Sequence, residues 1–233
     1  MLKIICNQMS LSGVKYMKKL WMLAALCLLP LSVSAADLGP AGLDPAIVQL
    51  QHDWATANYH TPKSAAEAAF KTLTEKAADI SAKTANKAEA LIWQAIVLSG
   101  YAKATGGLTA LKLVSKSKDL LLESIKLDPL ALNGSAYTSL GSLYYKVPMW
   151  PISFGDKDKA REYLEKALAI NPNGIDPNYF YADYLYETGQ YAEAVKYFEK
   201  ALQAPARIGR EDADQGRKKD INEGLANSKK KLN

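Results

Sequence analysis

Along residues 155–202 the apolar positions fall four and then three residues apart, with Lys and Glu between them. Gly155, Ala160, Leu164 and Ala167 recur as Gly189, Ala194, Phe198 and Ala201, each displaced by 34 residues. That spacing puts three side chains on one face of an α-helix and the charged residues on the other. Each stripe reads small, large, small. The pattern therefore predicts a helix that a neighbour approaches closely at the two alanines, with Leu164 or Phe198 filling the space between. An in-phase copy predicts a repeated unit and not a lone amphipathic helix.

A second helix precedes each of these. Tyr137, Leu140, Gly141 and Tyr144 form one face in the first copy, and Tyr181, Ala182 and Leu185 stand in the corresponding places of the second. Pro172, after Asn171, closes the first unit. Upstream, residues 109–129 predict a helix with Ser117, Leu121 and Ser124 as its small-large-small face. Lys87 to Ala104 predict its partner, stopped by Gly106-Gly107. Ala66, Phe70 and Leu73 belong to a helix opened by Thr61 as N-cap and Pro62 in its first turn, and Asp44-Pro45 opens another in the same way. No segment sustains a period of two, so the chain is predicted to be all-α.

The aromatic, Leu-Gly, Tyr face, the following Ala-Leu-Ala stripe and the closing proline together resemble the tetratricopeptide repeat family over residues 133–204. The resemblance implies an α-solenoid of helix-turn-helix repeats, with three repeats and a degenerate fourth. The implied organisation is N-terminal helices in a degenerate repeat at 37–86, tetratricopeptide-like repeats at 87–204, and a polar segment at 205–233. That last segment reads either as the capping helix such arrays need or as a frayed tail ending in Lys229-Lys230-Lys231.

Residues 1–36 have a different character. Lys15, Lys18 and Lys19 precede an apolar run from Leu20 to Leu29, then Pro30 and the small residues Ser32 to Ala36. This order predicts a secretory signal peptide starting at Met1 or Met17 and cleaved after Ala35 or Ala36, hence a periplasmic protein. The apolar run is too short to span a bilayer, which takes about 20 residues, so no stable membrane span is expected after cleavage. Cys27 offers a lipoprotein alternative, but Leu26 is larger than the residue a lipobox wants before its cysteine.

Composition matters mainly through this leader. The net charge of +5 falls to near zero when Lys3, Lys15, Lys18 and Lys19 are removed, because 25 basic residues then face 24 acidic ones. No electrostatic footprint for nucleic acid remains. Both cysteines, Cys6 and Cys27, also lie in the leader, so residues 37–233 can form no disulfide.

Catalytic constellations are absent from the sequence. His52 and His60 lack convergent partners for a metal. There is no Gly-Xaa-Ser-Xaa-Gly elbow and no phosphate-binding glycine loop. Asp and Glu alternate with Lys on helix faces, as on the solvated side of amphipathic helices. The expectation is a noncatalytic protein with no cofactor and no metal.

The resemblance to the repeat family instead directs attention to the concave face, lined by the first helix of each pair. It places Thr138, Ser142, Tyr145 and Lys146 there from one unit, and Tyr179, Asp183, Tyr186 and Glu187 from the next. Tyrosines with a few charges suit recognition of a peptide or protein. The alternative is that several of these rings pack between helices. A second candidate surface is an insertion: Gly141 to Ala160 is seven residues longer than Ala182 to Ala194. The surplus, Val147 to Ser153, contains Pro148 and Pro151, which are expected to hold it extended and to present Met149, Trp150 and Ile152. Such a loop either packs over a neighbouring helix or meets a partner.

The insertion, with Gly106-Gly107-Leu108, Asn133 to Tyr137 and Asn171 to Asp176, is also similar to the periplasmic T components of TRAP-type transporters over residues 88–204. That resemblance implies an oligomeric transport accessory that engages a periplasmic solute-binding protein and a small, partly apolar solute. The first expectation is an exported scaffold that binds a protein or peptide through its concave face and the Trp150 loop. Tyr145, Lys146, Met149, Trp150, Tyr179, Asp183 and Tyr186 are the candidate partner-binding residues.

Overall fold

The structure, a computed structural model, describes residues 42–85 and 87–233. The predicted leader, with its cleavage site and both cysteines, lies outside the described residues. Among the described residues nine α-helices follow in order: α1 (Pro45–Ala55), α2 (Lys63–Lys83), α3 (Ala88–Thr105), α4 (Gly107–Leu127), α5 (Ala131–Lys146), α6 (Lys157–Ile170), α7 (Ile175–Glu187), α8 (Tyr191–Leu202) and α9 (Glu211–Leu232). A single π-helical segment, Thr56–His60, joins α1 to the turn before α2. No strand occurs among the described residues. The chain is the all-α solenoid that the periodicity predicts, finished by a terminal helix.

Side chains cap two of the helix starts, those of α1 and α6. Asp44 accepts a hydrogen bond from the Ala46 amide at 2.8 Å, with Pro45 in the first turn of α1. Asp156 accepts from the Asp158 and Lys159 amides, both at 3.0 Å, and opens α6. Thr61 does not cap α2. Its hydroxyl donates back to the Thr56 carbonyl at 3.1 Å, and Pro62 takes the N-cap position. The π-helical segment leaves that carbonyl within reach, so Thr61 closes the earlier helix instead of opening the next.

Helices α3/α4, α5/α6 and α7/α8 pair as neighbours, α2 lies against α3, and α9 covers α8. The small-large-small stripes carry these contacts. Ala160, Leu164, Ala167, Ala194, Phe198 and Ala201 are all buried, as are Ser117, Leu121 and Ser124 of α4. Serine is tolerated there because its hydroxyl is satisfied: Ser117 donates to the Ala95 carbonyl at 2.8 Å and Ser124 to that of Leu121 at 2.8 Å. Helix α3 is hydrophobic almost all round, as its central position requires.

Close approach depends on glycine at defined places. A Cβ on Gly141 would stand 2.5 Å from Leu164 Cγ, and one on Gly224 would stand 2.4 Å from Phe198 Cζ. The large residues of the α6 and α8 stripes thus each seat on a bare stretch of the opposing helix. The second of these contacts assigns the polar C-terminal segment: it is a helix docked on α8, and not a frayed tail.

The same helix also reaches the beginning of the array. Helix α9 touches α1 and the π-helical segment as well as α7 and α8. Tyr59 lies on Gly216, where a Cβ would come within 2.4 Å of the ring, and its hydroxyl donates to Asp220 at 3.2 Å. His52 Nδ1 stands 3.5 Å from Asp212 Oδ2. First and last helices therefore meet, and the concave side of the solenoid is partly covered.

Two substitutions test this packing by thermal denaturation followed by circular dichroism. Ala160→Asp buries a charge without a partner and is expected to remove about 4 kcal/mol or more, enough to unfold the array. Gly224→Val overpacks the Phe198 seat and is expected to lower stability by about 1–3 kcal/mol. Unchanged melting in both variants would contradict the assigned contacts.

Candidate functional site

Closure of α9 on α1 leaves a cavity of about 1390 Å³ on the inner side of the solenoid. Every first helix contributes to its wall: Trp54 from α1, Trp93 from α3, Thr138 from α5, Tyr179 from α7 and Arg217 from α9, with Tyr59 from the π-helical segment. The volume exceeds the roughly 300–1,000 Å³ usual for small-molecule pockets.

One wall is a network of charges. Asp176, in the first turn of α7, accepts from Arg207 Nη1 at 2.6 Å and from Arg217 Nε at 2.9 Å. Arg207 also binds Asp214, at 2.7 Å through Nε, and Arg217 binds Asp220 at 3.1 Å. Burial alone would raise the Asp176 carboxyl, but Arg207, Arg217 and Arg210 outweigh it and hold the group well below the usual carboxylate range. The Arg217 guanidinium stacks 4.3 Å from the Tyr179 ring centre and 4.8 Å from that of Phe180. Burial pushes the Tyr179 phenol up to about 12.

At the entrance to α5, Leu132, Asn133 and Gly134 are consecutively left-handed, with φ of 49°, 55° and 74°. Two of these are not glycine, so the backbone is strained where it borders the cavity. Leu132 packs against both hydrophobic clusters of the protein, which explains how the turn is held.

The seven sequence-derived candidates fall in three places. Lys146, Tyr179 and Asp183 line the cavity. Tyr145 lies beneath that wall, its hydroxyl donating to Asp183 at 2.6 Å and its ring edge-on to Tyr184 at 5.7 Å. Burial and the adjacent Asp183 push its phenol well up. Tyr186 packs edge-on against Tyr191 of α8 at 5.5 Å and is not part of the cavity wall. Lys146 bridges Asp183 at 2.8 Å and Glu187 at 3.0 Å. Of the other residues assigned to the groove, Thr138 lines the cavity and Ser142 is engaged by the Ser139 carbonyl at 3.0 Å.

Met149 and Trp150 stand apart, on the insertion between α5 and α6. The expectation of an extended segment is corrected here. The Ile152 amide donates to Met149 at 3.1 Å, Gly155 to Pro148 at 2.9 Å and Asp156 to Tyr144 at 2.8 Å, so the loop closes on itself. A Cβ on Gly155 would lie 2.1 Å from the Val147 carbonyl oxygen, so only glycine lets the backbone return there. Phe154 anchors the base against Tyr144 at 5.4 Å. Trp150, Met149 and Ile152 point outward, 85%, 62% and 66% exposed.

The sequence reasoning missed Trp54, Tyr59, Trp93, Asp176 and the three arginines of the C-terminal segment. A signal for that segment existed: Ala213, Gly216, Ile221, Gly224 and Ser228 form a stripe of mostly small residues at helical spacing, and Arg217 sits beside it. Among the described residues no cluster of His, Cys, Asp and Glu could hold a metal, and no helix is long and apolar enough to cross a membrane.

The tetratricopeptide repeat family matches residues 152–207, covering α6, α7 and α8. A repeat of that type is therefore present over this part of the chain. No curated protein matches the sequence.

Because the Asp176 carboxyl is depressed in the folded protein, its contribution to stability is fully present above the unfolded value of about 3.9 and is lost as pH falls below it. Asp176→Asn removes the carboxylate that Arg207 and Arg217 share, while Asp214 and Asp220 remain on them, and is expected to destabilise by about 1–3 kcal/mol at neutral pH. That gap should narrow progressively below about pH 4 in denaturant titrations. A gap that stays constant down to pH 2 would remove Asp176 from the network.

Proposed function

We propose that the protein is a noncatalytic helical-repeat scaffold that recruits a protein partner through the Trp150 loop, with the inner helical face as a second surface. The observation that carries this reading is the exposure of three large apolar side chains, Met149, Trp150 and Ile152, on one rigid turn. A tryptophan held on an anchored loop with apolar neighbours has the composition of an interface hot spot. The loop does not serve the core: its own base is sealed by Phe154, and its tip can be altered without opening a cavity. In this reading the leader directs export to the periplasm, with cleavage near Ala35 or Ala36, and the partner is another envelope protein.

The inner cavity favours a second reading, a transport accessory like the T components of TRAP-type transporters. There the cavity holds a small, partly apolar solute, and the Trp150 loop engages a periplasmic solute-binding protein. Both readings use the loop as a docking site and differ in what the interior does.

A photo-crosslinking side chain introduced at Trp150 in the native cell distinguishes them. A single crosslinked protein is expected at that position, and none at Lys200 on the outer face of α8. A solute-binding protein as the product would favour the transport reading. Trp150→Ala should abolish capture while changing stability by less than about 0.5 kcal/mol, as for a surface residue. A large loss of melting temperature, or crosslinking equal at both positions, would sink the docking role.

A further inference from the structure

Buried polar side-chain atoms without a partner are rare in folded proteins, and where they collect they point to something that satisfies them. Five such atoms occur among the described residues: Trp54 Nε1, Trp93 Nε1, Thr138 Oγ1, Arg210 Nε and Asn178 Oδ1. The first four belong to residues that line the cavity, and Asn178 does not. All four can donate a hydrogen bond. Four unpartnered donors thus sit on residues of the cavity wall, each donor atom itself covered by its neighbours.

Arg210 stands apart from the other two arginines of the wall. Asp176, Asp214 and Asp220 are fully engaged by Arg207, Arg217 and Tyr59. Arg210, at the start of α9, makes no ion pair among the described residues. Its guanidinium instead lies 4.9 Å from the centre of the Trp93 ring. Burial, reinforced by repulsion from Arg207, lowers its pKa to about 10, so the site disfavours this charge as it stands. The surrounding wall is apolar and aromatic: Trp54 and Trp93 meet edge-to-face at 6.0 Å, with Ile96 and Leu132 beside them.

We propose that this cavity binds a small amphipathic monocarboxylate, its apolar body against Trp54, Trp93, Ile96 and Leu132 and its carboxylate facing Arg210. Arg210 is the one arginine of the wall without a carboxylate partner among the described residues, and a lone guanidinium suits one negative charge and not a polyanion. The aromatic wall supplies burial for a chain or ring, and the strained Leu132-Asn133-Gly134 turn holds Leu132 in that wall. The inference rests on the second reading only in placing a small molecule in the interior. It does not use the Trp150 loop.

The test is titration of the full chain with decanoate, decanol and decyltrimethylammonium, read by calorimetry and by the indole N–H resonances of ¹⁵N-labelled protein. Decanoate is expected to bind saturably at least tenfold more tightly than decanol, to move the Trp54 and Trp93 resonances and to leave that of Trp150 in place. The ammonium probe should bind more weakly than decanol. Arg210→Gln should reduce the preference for decanoate over decanol to less than about threefold, with circular dichroism unchanged. If that variant fails to fold, the comparison of the three probes on the unaltered protein still decides. Equal binding of decanoate and decanol would overturn the anion inference while leaving an apolar solute in the cavity. No binding of any probe would overturn both, and shifts confined to Trp150 would do the same.

Discussion

The carboxylate of Asp176, held between Arg207 and Arg217, is the contact on which the rest of the arrangement depends. It joins the start of α7 to the linker after α8 and to the first turns of α9, alongside the Arg207–Asp214 pair and the stacking of Arg217 on Tyr179 and Phe180. Ion pairs removed from water are weak sources of net stability, because the cost of desolvation offsets most of the attraction. The role of this one is positional. It fixes the direction in which the chain leaves the last repeat, and so decides that α9 turns inward across the concave side.

From that placement the remaining features follow. With α9 inside the curve, Gly216 can receive the Tyr59 ring and Asp220 its hydroxyl, and the two ends of the array meet. An open solenoid would present its first helices to solvent as a long groove. Here the same helices face one another across a cavity, and the groove residues Lys146, Tyr179 and Asp183 look inward. The outer surface is left with the Trp150 turn as its conspicuous apolar feature. Interior and exterior thus have distinct chemistries, donors and aromatic rings within, an aliphatic and indole tip without.

The second helices were legible in the sequence because their burial is local in origin. A stripe such as Ala194, Phe198, Ala201 must face a neighbour whatever that neighbour is, and spacing alone reveals it. The pairing of Tyr59 with Asp220 could not be read this way, since it joins residues 161 apart and depends on how far the stack has curved. The insertion was half legible. Its prolines and aromatic residue were evident, but its closed shape rests on a carbonyl contact at Gly155 that no periodicity encodes. The donor set of the cavity was invisible for a further reason: Trp54, Trp93, Thr138 and Arg210 come from three helices and the turn before α9, and share no motif.

The central claim is that the repeat array closes on itself through α9. Spin labels at Gln49 of α1 and Gln215 of α9, both exposed, measure it directly in a protein whose Cys6 and Cys27 have been replaced by serine. Closure predicts one narrow distance distribution at the short end of the measurable range, broadened and lengthened by Asp176→Asn. A long or broad distribution in the protein with Asp176 intact would contradict the meeting of α9 with α1, and with it the cavity between them.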